Sequence, residues 1–329
     1  MMPGTVGVRF GDAALEASVR SDLDAVEAAL AAAVHSGDEF VADAARYLVD
    51  AGGKRFRPLV CVLAAHFGDA DRPEIVPAAV VVEITHLATL YHDDVMDEAT
   101  VRRGAPSANA RWDNTVAILT GDFLFSRASN LLADLGPYAV RLQARTFERL
   151  VIGQIHETRG PDHRTDPIEH HLSVLADKTG SLIATAAEFG AYFAGVPSEQ
   201  AATLRRFGER IGVAFQLSDD ILDIVSEPEE SGKTPGTDLR EGIPTLPVLY
   251  ALRGSGSPRL RHLVSRPLVD DAEHAEALLM LRASDAVLEA RTTMRGYAED
   301  ARAMLDALPD VSARDALDAL CDLVIERTG

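Results

Sequence analysis

Apolar residues recur at helical spacing through almost the whole chain. Leu15, Val19, Leu23, Val26 and Leu30 follow one another at intervals of three and four. That interval lines one face of a helix and predicts a helix over about 12–34. The same periodicity predicts helices over about 38–50, 58–68, 74–98, 114–134, 137–158, 167–178, 181–194 and 198–226. Gly52-Gly53, Gly136-Pro137, Gly180 and Gly195-Val196-Pro197 separate them, as glycine after a helix and proline at the start of one do. Residues 102–114 read as a polar loop, and Ser231–Asp238 is too rich in glycine and proline to be helical. Three or four further helices with Leu/Ala periodicity fill the rest. No stretch alternates with a period of two and no hairpin signal stands out. The pattern therefore predicts an all-α fold in a single domain, residues 12–329, behind a loose tail, residues 1–11.

Two of these helices end in acidic clusters. His92-Asp93-Asp94-Val95-Met96-Asp97 follows Val80–Val82 and Ile84; Asp219-Asp220-Ile221-Leu222-Asp223 follows Ile211, Val213, Phe215 and Leu217. Asp93 and Asp97 share a helix face, with Asp94 a quarter-turn round. Carboxylates this close repel one another. A hard cation relieves the repulsion, and Mg²⁺ takes one or two carboxylates together with phosphate oxygens. Two clusters facing each other would hold several Mg²⁺ around one diphosphate. A single cluster is also what a solvated helix face would give, and Asp270-Asp271, with His274 at the fifth position, reads as surface of that kind. His92 is no metal ligand by this reading, because no second His or Cys accompanies it, and His170-His171 is given no role.

Charge changes the picture. The 329 residues carry a net charge of −19, which disfavours nucleic acid and acidic membrane surfaces as general partners. A diphosphate would need local cations. Lys54, Arg55 and Arg57 supply three within Gly52–Pro58, at a predicted helix N-terminus; Lys178 and Lys233 are others. Each taken alone fits a basic surface turn, a helix cap or a solvated loop. Cys61 and Cys321 lie in apolar helical patterns and predict reduced thiols in the cytoplasm. No apolar run of membrane-spanning length is read, and Met1-Met2-Pro3-Gly4 does not start a signal peptide.

Taken together, Gly52-Gly53-Lys54-Arg55-Phe56-Arg57-Pro58, the two aspartate clusters, Arg102-Arg103-Gly104, Lys178-Thr179, Phe215-Gln216 and Gly232–Leu239 resemble, in order and spacing, the trans-isoprenyl diphosphate synthases (polyprenyl synthetases). The likeness runs over about residues 40–250. It implies an all-α helical bundle around a deep central cavity, a homodimer, Mg²⁺, and two substrates, isopentenyl diphosphate and an allylic prenyl diphosphate. Carried over position by position, it implies Mg²⁺ ligation by Asp93, Asp94, Asp97, Asp219 and Asp223, with Asp220 in the same motif. Arg102, Lys178 and Lys233 would bind the allylic diphosphate. Lys54, Arg57, His86 and Arg103 would bind isopentenyl diphosphate, and Thr179 and Gln216 would steady the carbocation. Two departures stand out. Ile243 occupies a position where many relatives have Lys, and the basic C-terminal tail of some relatives is reduced to Arg327.

This chemistry needs no protein nucleophile. Neutralising the diphosphate lets the allylic C–O bond ionise, the double bond of isopentenyl diphosphate attacks, and a proton is lost. A class I terpene cyclase would lack the second aspartate cluster and the second diphosphate pocket. A non-catalytic subunit would have lost charged positions, as only Ile243 suggests. Chain length is read from the helix before the first cluster. Thr89 and Ala88, four and five residues before Asp93, are small; Thr85, Ile84 and Val81 lie deeper; and no Phe, Tyr or Trp occurs between Gly68 and Leu90. Nothing there closes a tunnel at farnesyl length, so the expectation is a hexaprenyl-to-decaprenyl product, with geranylgeranyl as the alternative. Phe123 or Phe125 on another helix, or a residue contributed by a partner subunit, could close the tunnel instead. Membrane contact would be at most peripheral, for release of the product.

Overall fold

The computed structural model describes residues 7–226, 235–254 and 256–328. Almost all of it is helical. In chain order the helices are α1 (Ala13–Ala33), α2 (Glu39–Asp50), α3 (Phe56–Ala65), α4 (Ile75–Met96), α5 (Ala108–Arg111), α6 (Asn114–Leu135), α7 (Pro137–Arg159), α8 (Pro167–Leu175), α9 (Ser181–Phe193) and α10 (Ser198–Val225). They continue with α11 (Thr237–Glu241), α12 (Leu246–Arg253), α13 (Pro258–Val264), α14 (Asp271–Arg282), α15 (Asp285–Leu305) and α16 (Ser312–Glu326). Aspartates start several of them. The side chains of Asp12, Asp38, Asp113, Asp166 and Asp270 accept hydrogen bonds from first-turn N–H groups of α1, α2, α6, α8 and α14, which those groups need because they have no partner within the helix.

The structure departs from the sequence pattern in four places. Val101–Arg102 pairs antiparallel with Ala105–Pro106, and Ala108–Arg111 forms the short helix α5, where only a loop is predicted. The two-residue connection Arg103-Gly104 has positive φ at both positions, 53° and 77°, the turn that suits the twist of a hairpin. Second, Gly180 does not break the chain: Ala176–Gly180 forms one π-helical turn that joins α8 directly to α9. Third, Thr237 and Asp238 open the short helix α11 rather than staying in a loop, and five helices follow it where three or four are predicted. Fourth, α4 is long and apolar enough to cross a membrane, but most of it is buried inside the protein. It is the core helix of its unit.

The contacts group into two compact units. The first comprises residues 1–148, 182–208 and 304–319. There α4 lies against α1, α3 and α6, and its Ala78–Val82, Ile84 and Leu87 are buried. The hydroxyl of Ser312 donates to Asp12 Oδ2 at 2.6 Å, tying the start of α16 to the cap of α1. The second unit comprises residues 149–181, 209–303 and 320–329. In it α12 packs on α8, α13 and α14.

Candidate active site

In the first unit the basic segment after α2 is built around one buried residue. Arg55 adopts φ 48°, a left-handed conformation that costs a non-glycine residue about 1 kcal/mol. Its guanidinium repays that through Glu83 Oε1 at 2.9 Å, Glu27 Oε2 at 3.1 Å and the Val49 carbonyl at 3.2 Å. Arg55 is thus the pin of this turn, and its neighbours Lys54, exposed, and Arg57, half-buried, are carried by it. Arg103 comes to the same place. From the tip of the hairpin its Nη1 donates to the carbonyls of Leu48, at 2.6 Å, and Gly52. Gly53 lies under the guanidinium, where a Cβ would sit 3.0 Å from Nη2. His86, half-buried on α4, is pushed well below the ordinary histidine range by burial and then by the guanidinium charges of Arg57, Arg103 and Arg102. A neutral imidazole ringed by cations is an anion site in waiting.

The first aspartate cluster closes α4. Asp97 is the C-cap, its N–H donating to the Asp93 carbonyl at 2.8 Å. Asp93 is half-buried and Asp97 exposed. Asp94 differs from both. It is fully buried, and its Oδ1 accepts from Arg102 Nε at 2.6 Å. Its Oδ2 is buried with no hydrogen-bond partner among the described residues. Arg102 and Asp94, read separately as a diphosphate cation and a metal ligand, are bonded to each other here.

Further back along α4, Val81, Ile84, Thr85 and Ala88 are fully buried, whereas Thr89 is half-buried and donates to the His86 carbonyl at 2.8 Å. The wall carries a polar point. Thr85 Oγ1 accepts from Gln143 Nε2 at 2.8 Å, and Thr146 and Thr185 are hydrogen-bonded at 2.6 Å. Helix α6 comes close at Gly121, where an added Cβ would fall 2.3 Å from the His92 ring and 3.1 Å from the Ala88 carbonyl. Phe125 sits between His92, at 5.8 Å, and Phe147, at 4.5 Å between ring centres.

In the second unit the π-helical turn holds Lys178 and Thr179. Arg149 bridges Asp177 at 2.8 Å and Glu209 at 2.7 Å, linking the turn to α7 and α10. Two glycines let it nest. A Cβ on Gly153 would lie 2.9 Å from the Lys178 nitrogen, and one on Gly180 would lie 3.0 Å from the Glu209 carbonyl. π turns occur mostly as single insertions at functional sites. Lys178 Nζ pairs with Glu157 at 2.6 Å. Thr179 Oγ1 lies 3.4 Å from Gln216 Oε1, and Gln216 Nε2 donates to Asp220 Oδ1 at 3.1 Å.

The second aspartate cluster spreads its members. Asp219 Oδ1 accepts from Arg327 Nη2, whose Nη1 also donates to Ser218 Oγ at 3.1 Å, and the guanidinium lies over the Phe215 ring, 4.7 Å from its centre. Asp223 faces the start of α11, accepting from the N–H groups of Thr237 and Asp238, both at 3.2 Å. Asp220 is buried, and the half-buried His171 places Nε2 3.4 Å from its Oδ2. Nothing in the sequence marked His171, Arg149 or Glu157; their partners are distant along the chain and only the packing of α7, α8 and α10 joins them. Ile243 is exposed, and Lys233 lies outside the described residues.

Comparisons with known proteins bear on the family. The polyprenyl synthetase family model matches residues 38–281. Nonaprenyl diphosphate synthase of Mycobacterium tuberculosis is 52% identical, over 99% of both chains. Among solved structures, geranylgeranyl pyrophosphate synthase from Corynebacterium glutamicum, complexed with calcium and isoprenyl diphosphate, superposes with a TM-score of 0.86 at 47% identity, covering 98% of this chain and all of that one. Polyprenyl synthase from Caulobacter crescentus, with the same two ligands, gives 0.88 at 32% identity, covering all of both chains.

Proposed function

The chain belongs to the polyprenyl synthetase family and is a prenyltransferase; from that premise we propose that it condenses isopentenyl diphosphate with an allylic diphosphate to make an all-trans polyprenyl diphosphate longer than farnesyl, in the hexaprenyl-to-decaprenyl range. The observation that carries the length is the wall before Asp93. Val81, Ile84, Thr85 and Ala88 are small or aliphatic and buried, and no Phe, Tyr or Trp occurs between Gly68 and Leu90. Each isoprene unit held along such a wall gains roughly 0.8 kcal/mol per buried CH₂. The 52% identity to a nonaprenyl diphosphate synthase supports the same range. Geranylgeranyl diphosphate is the second reading, favoured by the name of the Corynebacterium glutamicum structure.

The metal we propose is Mg²⁺. Asp93, Asp97, Asp219 and Asp223 present only carboxylate oxygens, and among the described residues no three metal-ligating side chains converge. Such a donor set suits an ion that takes one or two carboxylates and completes its shell with water and phosphate oxygens. When bound, Mg²⁺ neutralises the diphosphate leaving group. The protein's own residues do the rest. Lys54, Arg57, Arg103 and His86 orient isopentenyl diphosphate. Arg102 and Lys178, with Lys233, carry the charge of the allylic diphosphate. Thr179 and Gln216 turn oxygen dipoles to the allylic carbon. For Arg102 and Lys178 this entails exchanging Asp94 and Glu157 for phosphate.

We also propose one polyprenyl synthetase domain over residues 12–329, because the chain crosses between the two units at residues 149, 182, 209, 304 and 320. A homodimer is supported by exposed Ile118 and Leu119 on α6 and by exposed Val151, Ile152 and Ile155 on α7. A cytoplasmic location is supported by Cys61, a buried free thiol. Membrane contact is proposed as peripheral at most. The test is Ala88→Phe, with Thr89→Phe beside it because Thr89 is the less enclosed position. Either ring should shorten the product towards farnesyl or geranylgeranyl while the rate of the first condensation survives. Unchanged length in both variants contradicts a tunnel along this wall.

A further inference from the structure

Gln216 can serve a developing cation only if its amide is the right way round. The two ends of an amide are nearly equal in size, and the hydrogen-bond network decides which points where. Here the decision is made by Asp220. An ionised carboxylate can only accept, so the nitrogen end of Gln216 is drawn to Asp220 Oδ1 at 3.1 Å. The oxygen end is left on the Thr179 side, 3.4 Å from Oγ1. The orientation of Gln216 is then only as firm as that of Asp220.

Asp220 is buried, and its other oxygen, Oδ2, has no hydrogen-bond partner among the described residues. His171 Nε2 is 3.4 Å from it, also buried and also without a hydrogen-bond partner. A buried polar atom left unpaired is destabilising. Here an acceptor and a potential donor lie within reach but out of line, and a small rotation of the ring joins them. His171 is well placed to stay there. It lies on α8, immediately before the π turn that carries Thr179, and that turn is fixed to α10 through Arg149, Asp177 and Glu209.

We propose that His171 is a positioning residue for prenyl transfer: its imidazole holds the Asp220 carboxylate, which in turn holds the Gln216 amide with its oxygen towards the reacting carbon. The proposal rests on the function proposed above. It gives Asp220 a task inside the second aspartate cluster different from that of Asp219 and Asp223, since both Asp220 oxygens face protein side chains.

The test compares wild type, His171→Leu, His171→Gln, Asp220→Asn and the double variant His171→Leu/Asp220→Asn. Steady-state kinetics with isopentenyl and farnesyl diphosphates is one readout. The side-chain amide resonances of Gln216 in protein ¹⁵N-labelled at its four glutamines are the other. His171→Leu should lower kcat about tenfold with both KM values within about twofold, and should shift the Gln216 amide pair. His171→Gln, which keeps an N–H donor, should recover most of that loss. Because Asn can donate as well as accept, Asp220→Asn should lower kcat similarly, and the double variant should be no slower than Asp220→Asn alone. Full kcat in His171→Leu, equal damage from Leu and Gln, additive losses, or an unmoved Gln216 signal each overturn the assignment. If His171→Leu does not fold, His171→Gln with a tenfold loss of kcat overturns it too. An inactive wild type would overturn the functional reading as well, whereas an active wild type indifferent to His171 overturns this inference alone.

Discussion

His86 is neutral in the folded protein because burial and its guanidinium neighbours, Arg57 first, oppose a proton there. The sign of the consequence follows from linkage. In the unfolded chain the imidazole titrates near 6.5; in the native state its value lies below that. Stability from this group is therefore whole above pH 6.5 and drains away as pH falls from 6.5 towards the native value, where the unfolded chain binds a proton the native chain does not. The slope is at most about 1.4 kcal/mol per pH unit. Urea midpoints of wild type and His86→Gln, measured between about pH 7.5 and 5.5, should diverge, with the variant flatter. Parallel curves would show that His86 is not held neutral. Arg327 gives a second prediction at this scale. Its guanidinium pairs with Asp219, and a partly exposed pair of this kind is worth about 1 kcal/mol or less. Arg327→Ala should lower the Mg²⁺ concentration for half-maximal activity by up to about fivefold. A raised Mg²⁺ requirement would mean that Arg327 serves substrate rather than competes with metal.

Among elements, the π turn at Ala176–Gly180 decides most. Lys178, Thr179 and, through Asp177, the link to α10 all depend on it. Gly153 is the glycine that admits it. On propensity alone Gly153→Ala would stabilise α7 by up to about 1 kcal/mol. Yet the new Cβ would stand 2.9 Å from the Lys178 backbone nitrogen, and overpacking against backbone costs about 1–3 kcal/mol. The second effect wins, so Gly153→Ala should lower the denaturation midpoint and kcat together. A more stable, fully active variant would remove the turn from the account. This element also shows where the sequence stops being legible. The periodic helices α1 to α4 and α6 to α10 were readable because their apolar faces repeat. Gly180 reads as a breaker because local signals cannot tell a glycine that ends a helix from one that lets helices touch. The hairpin at Arg103 was invisible for a related reason. Arginine seldom takes positive φ, and what holds it, the carbonyls of Leu48 and Gly52, lies half a hundred residues away. His171 was passed over because Asp220 is its neighbour only in space.

On the scale of the whole molecule, the net charge of −19 and the two aspartate motifs set a simple requirement. An anionic substrate meets a chain that repels it except where Lys54, Arg57, Arg102, Arg103 and Lys178 stand, so binding should weaken as salt screens those positions. The motifs to which this chemistry is assigned were legible as a set, because each is short and local. The residues that orient them were not. The account as a whole turns on what the chain makes. Purified protein supplied with Mg²⁺, farnesyl diphosphate and labelled isopentenyl diphosphate, with the products dephosphorylated and sized by reversed-phase chromatography, measures this directly. The account predicts polyprenols of hexaprenyl to decaprenyl length; a product that stops at geranylgeranyl, or no extension of farnesyl at all, would contradict it.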